Sequence, residues 1–212
     1  MSELVSVERD GAAAARAALE HCVGEGGVAI FPADTLYGLA CDPLNERAVE
    51  RIHEIKGRDE GKSSAVMYFS PLAMRELVSG LGPSARLTVG ALLPGPVTLV
   101  LANPERRYPL ACREDPERLG VRLIEGPLAG AMTPIFQTSA NRSGEPSATR
   151  FDEIDPLILA ASDLAIDAGE LIGAPSTVVD ITAVDAGRGW SVLREGALEG
   201  DEVDRRLGEA LG

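Results

Sequence analysis

The chain has 212 residues, 45% of them hydrophobic, which supplies enough apolar side chain for a core and argues against disorder as a whole. Thirty-three acidic against 20 basic residues give a formal net charge of −13, so the average surface repels a phosphate backbone and a broad RNA-binding face is disfavoured. Cys22, Cys41 and Cys112 lack C-x-x-C spacing and His21 and His53 lack ligand spacing, so the expectation is a reducing cytoplasm, no disulfide framework and no protein metal site.

The first residues, M-S-E-L-V-S-V-E-R-D, carry charge where a signal peptide needs an apolar run. Asp10 to Val23 is alanine-rich and reads as a helix capped by Asp10 and stopped by Gly24-Glu25-Gly26-Gly27. Val28 to Phe31 reads as a short buried strand ending at Pro32. Asn45 caps a helix through Ile55, with Ala48, Val49, Ile52 and Ile55 on one face. Ala65 to Phe69 is a strand, and Pro71 and Pro83 each begin a helix. Further strands are expected at Val97–Ala102, Gly120–Ile124, Ile135–Thr138, Leu164–Ile166, Thr177–Ile181 and Ser191–Leu193. The run from Pro96 to Ala102 is too short to cross a bilayer, so no membrane role is expected. Helices interspersed with strands, some paired late in the chain, predict one α/β domain over residues 1–212 with a mixed sheet. No strand leads into G-x-G-x-x-G, which disfavours a Rossmann sheet.

Residues 52 to 64, I-H-E-I-K-G-R-D-E-G-K-S-S, hold Lys56 and Lys62, both lysines of a chain that has 18 arginines. They resemble a Walker A loop with one residue missing, but a P-loop needs a strand before the glycines and a helix after them. Here a helix precedes and a strand follows. Two readings remain for the basic residues: they complement the helix C-terminus with Gly57 as its stop, or they serve an anion for which a compact ammonium is wanted.

Four other stretches present chemistry. Phe31-Pro32-Ala33-Asp34-Thr35-Leu36-Tyr37-Gly38 offers a carboxylate, a hydroxyl and a phenol at a strand end, and also suits an ordinary Pro-Asp turn. Leu93-Pro94-Gly95-Pro96-Val97-Thr98 is a rigid turn into a strand, and Ala174-Pro175-Ser176-Thr177-Val178-Val179-Asp180 opens another. Thr138 to Thr149 packs five hydroxyls and an amide behind an apolar strand, where α/β sites are commonly built. No triad or G-x-S-x-G elbow is present. Hydroxyls, an amide and cations on several turns suit positioning and charge stabilisation more than covalent catalysis.

In this order, P-A-D-T-L-Y-G-L, K-G-R, L-P-G-P-V-T-L-V-L, G-V-R, T-S-A-N-R-S-G-E-P-S-A-T, S-T-V-V-D and V-L-R-E-G resemble the YrdC-like family of L-threonylcarbamoyl-AMP synthases, over residues 31 to 196. The resemblance implies a single YrdC-like domain with its motif-bearing core at about residues 24–196, built as a twisted, mixed, open sheet flanked by helices around a concave central cavity. It implies a nucleotidyltransferase that makes threonylcarbamoyl-AMP and pyrophosphate from L-threonine, bicarbonate or CO2, and ATP. The product serves the threonylcarbamoyl modification of tRNA adenosine, through a tRNA threonylcarbamoyl transferase. Carried over by motif, the threonine pocket is Thr35, Tyr37, Met67, Arg122, Ser139 and Ser176. The nucleotide falls to Arg58, Lys62, Arg118, Asn141, Thr149 and Arg194, with Lys56 and Arg58 as the catalytic cations and Mg2+ carried by the ATP. Ala33, Asp59 and the turn Val121-Arg122-Leu123-Ile124-Glu125-Gly126-Pro127 depart from the family pattern, the last lacking its first proline and its histidine. The length places the chain with the short forms that lack a C-terminal extension. The alternative is a non-catalytic or differently specialised paralogue of the same fold that binds nucleotide or RNA; the carbamoyl-transfer domain of a hydrogenase-maturation-type protein would require zinc-finger and acylphosphatase parts.

Overall fold

A computed structural model describes residues 2–57 and 63–212. Ten strands lie in these residues: β1 (Glu3–Ser6), β2 (Ala29–Pro32), β3 (Tyr37–Cys41), β4 (Ala65–Tyr68), β5 (Val97–Ala102), β6 (Arg118–Leu123), β7 (Ile135–Ser139), β8 (Leu164–Asp167), β9 (Thr177–Asp180) and β10 (Ser191–Arg194). They form one sheet in the order β1-β8-β2-β3-β7-β4-β6-β5-β9-β10, with free edges at β1 and β10. Parallel pairs (β1–β8, β2–β8, β4–β6, β5–β9) alternate with antiparallel ones, so the sheet is mixed and open, as expected.

Helices α1 (Val7–Asp10), α2 (Ala12–Gly24), α3 (Glu46–Lys56), α4 (Pro71–Ser79), α5 (Pro83–Leu92), α6 (Pro109–Cys112), α7 (Pro156–Ala161) and α8 (Gly200–Leu211) connect and cover the strands. The Asn45 side chain accepts from Ala48 N at 3.1 Å and caps α3, while Gly57 ends that helix in the left-handed region at φ 56°. Pro71 and Pro83 start α4 and α5, since a missing N–H costs nothing in a first turn. Gly82 has no side chain with which to cap α5. Asp185, about a hundred residues later, supplies it, accepting from Ser84 N at 2.9 Å and Ala85 N at 3.2 Å. Asp10 does not cap the long N-terminal helix; it ends α1 and accepts from Ser6 N at 2.8 Å, and α2 begins after Gly11.

Side chains alternate across a strand, and this divides the apolar residues into two cores. One face carries Ile30, Leu39, Val66, Leu99, Val121, Phe136 and Val179 into the larger core, closed by α3, α4, α5, α6, α7 and α8. The other face carries Ala29, Phe31, Met67, Phe69, Ile124 and Ile135 into a smaller core beneath α2. Helix α2 packs only on β1, β2 and β8, so the middle of this second face stays open as a concavity.

Gly38 on β3 shows how tightly the covered part is built. A Cβ there would lie 2.6 Å from Phe31 Cε1 and 3.0 Å from the carbonyl oxygen of Thr138. Gly38→Ala is therefore expected to cost about 1–3 kcal/mol through overpacking, read as a lower urea midpoint with an unchanged m-value. A midpoint equal to the wild type's would show that the Phe31 ring yields freely.

Candidate functional site

The open half of the second face holds a cavity of about 580 Å³. Its floor is the cavity-facing row of each central strand: Gly38 on β3, Gln137 and Ser139 on β7, Ala65 on β4, Arg118, Gly120 and Arg122 on β6, Thr98 and Val100 on β5, and Val178 on β9. The turns at strand ends form its walls, with Ala33, Thr35 and Leu36 before β3 and Pro175 and Ser176 before β9. Six strands of one sheet thus contribute to a single concavity, and Leu193 and Arg194 on β10 add a seventh.

One wall is organised by charge. The Arg122 guanidinium is buried, 4% exposed, and donates through Nη2 to Asp34 Oδ1. Arg122 Nε and Asp34 Oδ2 are buried without hydrogen-bond partners, so the pair is joined at one point and not as a fork. Burial pulls the Arg122 pKa down, Asp34 opposes that shift, and Arg194 adds to it by like-charge repulsion. A guanidinium stays protonated under these pressures, so two cations face one wall and one of them, Arg122, is paired with a carboxylate. Arg194 is held by Ser176: Nη2 donates to the Ser176 carbonyl at 2.7 Å and to Oγ at 3.3 Å. The Ser176 hydroxyl also shares a 2.9 Å hydrogen bond with Thr98 Oγ1. Thr35 is buried beside this wall, and its carbonyl accepts from Gly173 N at 2.9 Å, tying the β2–β3 turn to the loop before β9.

The other side carries Arg118, whose Nη2 donates to Asp180 and whose Nη1 lies 3.7 Å from Asp115. Asp180 also accepts from the Thr182 hydroxyl at 2.7 Å, so the carboxylate is itself fixed. Arg118 is 39% exposed at its side chain and open to the cavity.

Among the residues singled out for threonine, Thr35, Tyr37, Arg122, Ser139 and Ser176 all line the cavity. The Tyr37 hydroxyl points elsewhere, donating to Gly169 O at 2.8 Å and accepting from Ala168 N at 3.0 Å; burial pushes its pKa up to about 12, so it is a neutral anchor. Met67 is corrected: it neighbours Arg122 in the β4–β6 register but is fully buried in the smaller core and does not line the cavity.

Of the nucleotide set, Arg118 and Arg194 line the cavity, while Arg58 and Lys62 lie outside the described residues. Asn141 and Thr149 sit one layer back. Asn141 Oδ1 accepts from the Ser139 and Ser147 hydroxyls and its Nδ2 donates to the carbonyls of Arg142 and Glu145, folding the loop after β7. The Thr149 hydroxyl donates to Glu153 at 3.0 Å. Lys56, expected to project toward the reacting groups, is corrected to a positioning role. It is 4% exposed, does not line the cavity, and its Nζ donates to the carbonyls of Ser139 and, at 2.6 Å, Asn141.

Sequence reasoning left Asp34, Thr98 and Gln137 out of the site. Asp34 stood in a quoted motif, and its partner four strands away gave no local signal. Thr98 and Gln137 follow from alternation, once Val97–Ala102 and Ile135–Thr138 are read as strands with one apolar row each. Among the described residues no three His, Cys, Asp or Glu side chains converge as a metal-ligand group, and no helix is long and apolar enough to cross a membrane.

The Sua5/YciO/YrdC family model, described as "Telomere recombination", matches residues 21–196. The chain is 32% identical over 198 residues to a threonylcarbamoyl-AMP synthase of Pyrococcus abyssi, covering 88% of this chain and 55% of that protein. It is 33% identical over 178 residues to the threonylcarbamoyl-AMP synthase of Xanthomonas euvesicatoria pv. vesicatoria, covering 81% of this chain and 92% of that one. The chain therefore spans little more than half the length of the first relative and nearly all of the second. Among solved structures, P. abyssi Sua5 complexed with L-threonine superposes with a TM-score of 0.83 at 30% identity, over 99% of this chain and 62% of that one. E. coli YciO gives a TM-score of 0.78 at 26% identity, over 96% and 100% of the two chains.

The buried pair at the cavity wall has a measurable signature. Asp34→Asn removes the counter-charge of Arg122, with an expected loss of about 3 kcal/mol. In a chain of this length that lowers Tm by about 6–12 °C. Added phosphate should restore more stability to the variant than it adds to the wild type. A variant with wild-type Tm would remove Asp34 from this role.

Proposed function

The chain belongs to the Sua5/YciO/YrdC family, and from that membership we propose that it is an L-threonylcarbamoyl-AMP synthase acting in the cytoplasm on L-threonine, bicarbonate or CO2, and ATP. The observation that carries this reading is the convergence of Thr35, Arg122, Ser139 and Ser176 on one wall of the cavity, with Arg118 opening onto the same space. Relatives named for this activity at 32–33% identity support it, as does the likeness to a Sua5 complexed with L-threonine.

In this reading the free edge of the Arg122 guanidinium takes the threonine carboxylate, and the hydroxyls of Thr35 and Ser176 orient the rest of the amino acid. The threonine amine attacks the carbon of CO2; the N–C bond forms, a C–O pair moves to oxygen, and the amine proton passes to solvent. The carbamate oxygen then attacks the α-phosphorus of ATP. The bond from that phosphorus to the bridging oxygen breaks and pyrophosphate leaves with the electron pair. Carboxylate, carbamate and triphosphate bring several negative charges together, which Arg122, Arg194 and Arg118 offset, with Arg58 and Lys62 proposed for the phosphates. Mg2+ enters as the ion of the ATP substrate, held by phosphate oxygens. Lys56 contributes by fixing the carbonyls at the end of β7, and so the Ser139 side chain. The product would pass to a tRNA threonylcarbamoyl transferase.

The test is pyrophosphate release from MgATP and bicarbonate, with and without L-threonine. Threonine-dependent release is the expected result, and its absence from folded protein would favour a nucleotide-binding paralogue without this activity. Arg122→Ala should raise KM for threonine about 100-fold while leaving KM for ATP nearly unchanged, because one charged hydrogen-bonding pair to the carboxylate is lost.

A further inference from the structure

Gly120 is a glycine that the fold does not require. A strand keeps glycine where φ is positive, where another group approaches too closely for a Cβ, or where space must stay free for something outside the protein. Gly120 is not among the positive-φ glycines. A Cβ on it would meet the Ala65 Cα and Cβ at 3.5 Å and Thr98 Cγ2 at 3.7 Å, which are ordinary contacts. Gly38, on the same sheet face, is the contrast, since the Phe31 ring occupies its Cβ position. Only the third reason remains at residue 120, and the free space there is the cavity.

Its place on β6 says what that space is for. Arg118, Gly120 and Arg122 are alternate residues on the cavity-facing row of β6, so a bare position separates two cations. At the rise of a strand the Cα atoms of Arg118 and Arg122 are about 13 Å apart. In register, Gly120 lies between Ala65 on β4 and Val100 on β5, which makes it the lowest point of an apolar row. That row offers no polar side chain. It sets shape, and it keeps fixed polar groups and ordered water away from whatever lies across it.

We propose that Gly120 is a specificity-determining position, the bare saddle across which the threonine-derived carbamate and the α-phosphate of ATP are brought together. This rests on the synthase reading. Arg122 holds the amino-acid carboxylate at one end of β6, Arg118 faces the phosphates at the other, and the new carbamoyl–phosphate bond spans the glycine. A side chain at residue 120 would leave each substrate its own anchor while forcing apart the two atoms that must bond.

Gly120→Val and Gly120→Ala test this, because valine is a good strand former and the Cβ that either variant adds makes only ordinary contacts. The wild type must first show threonine-dependent pyrophosphate release; failure there overturns the synthase reading itself. Given that activity, the Val variant should keep its thermal shifts with L-threonine alone and with MgATP alone, yet lose turnover about 100-fold, as expected of misplaced reactants. The Ala variant should lie between. Turnover in Gly120→Val within about threefold of wild type would overturn the proposal, since that is well under the cost of ångström-scale misplacement. So would loss of the response to one substrate alone, which would assign the glycine to that substrate's own pocket. Should the Val variant fail to fold, the Ala variant decides by the same measurements.

Discussion

A buried guanidinium, Arg122, and an exposed one, Arg194, share one wall of a cavity in a chain of net charge −13. Their like charges repel, and the fold holds them by placing Asp34 beside one and the Ser176 carbonyl beside the other. The first tie crosses the sheet and the second joins neighbouring strands. Asp34 arrives from the turn between β2 and β3, Arg122 stands on β6, and Arg194 reaches from β10 back to the start of β9. The geometry of the cavity therefore depends on long-range electrostatics, and no single loop could build it. One carboxylate set against two cations leaves the wall with unbalanced positive charge, the condition under which an anionic ligand binds with little rearrangement.

That wall exists only because the sheet is covered unequally. Six helices pack on one face, whereas α2 packs chiefly on three strands of the other. Alternation then makes each central strand serve two environments, with Val121 in the closed core and Gly120 and Arg122 in the cavity. A strand such as β4 crosses both regimes along its length, since Ala65 lines the cavity and Met67, two residues on, is fully buried in the smaller core. The apolar border at Met67, Ile135 and Phe31 limits the cavity on that side and excludes water behind Arg122.

This explains which parts were legible in the sequence. Strands with apolar, β-branched residues between turn signals, such as Val97–Ala102, could be placed to the residue, and the Asn45 and proline signals found their helix starts. β3, Tyr-Gly-Leu-Ala-Cys, was read as a turn because glycine and alanine are poor strand formers; it is a central strand, buried at every position, and small because Phe31 packs across it. β1 was hidden by the charges around it, being an edge strand with only Val5 buried. Within the site, motif order found the cavity-facing hydroxyls and arginines, but it could not separate the lining residues from those one layer behind. Asn141, Thr149 and Met67 are close in sequence to lining residues and are directed elsewhere by their hydrogen bonds or by the sheet border.

The retained lysine at residue 56 follows from the same layering. A basic residue in the last turn of α3 would complement the helix dipole equally well as arginine. Lys56 Nζ instead meets carbonyl oxygens of Ser139 and Asn141, which project at different angles from the end of β7, within a space where the residue is 4% exposed. An ammonium is compact and directs three donors in a tetrahedral arrangement, so it can satisfy divergent acceptors from one point. A planar guanidinium needs more room and presents its donors in a single plane. The Ser143 N–H closes the link by donating to the Lys56 carbonyl at 2.9 Å, so the helix end and the loop after β7 hold one another from both sides. Ser139 faces the cavity, and its backbone carbonyl is held in this way by a cation that does not itself line the cavity.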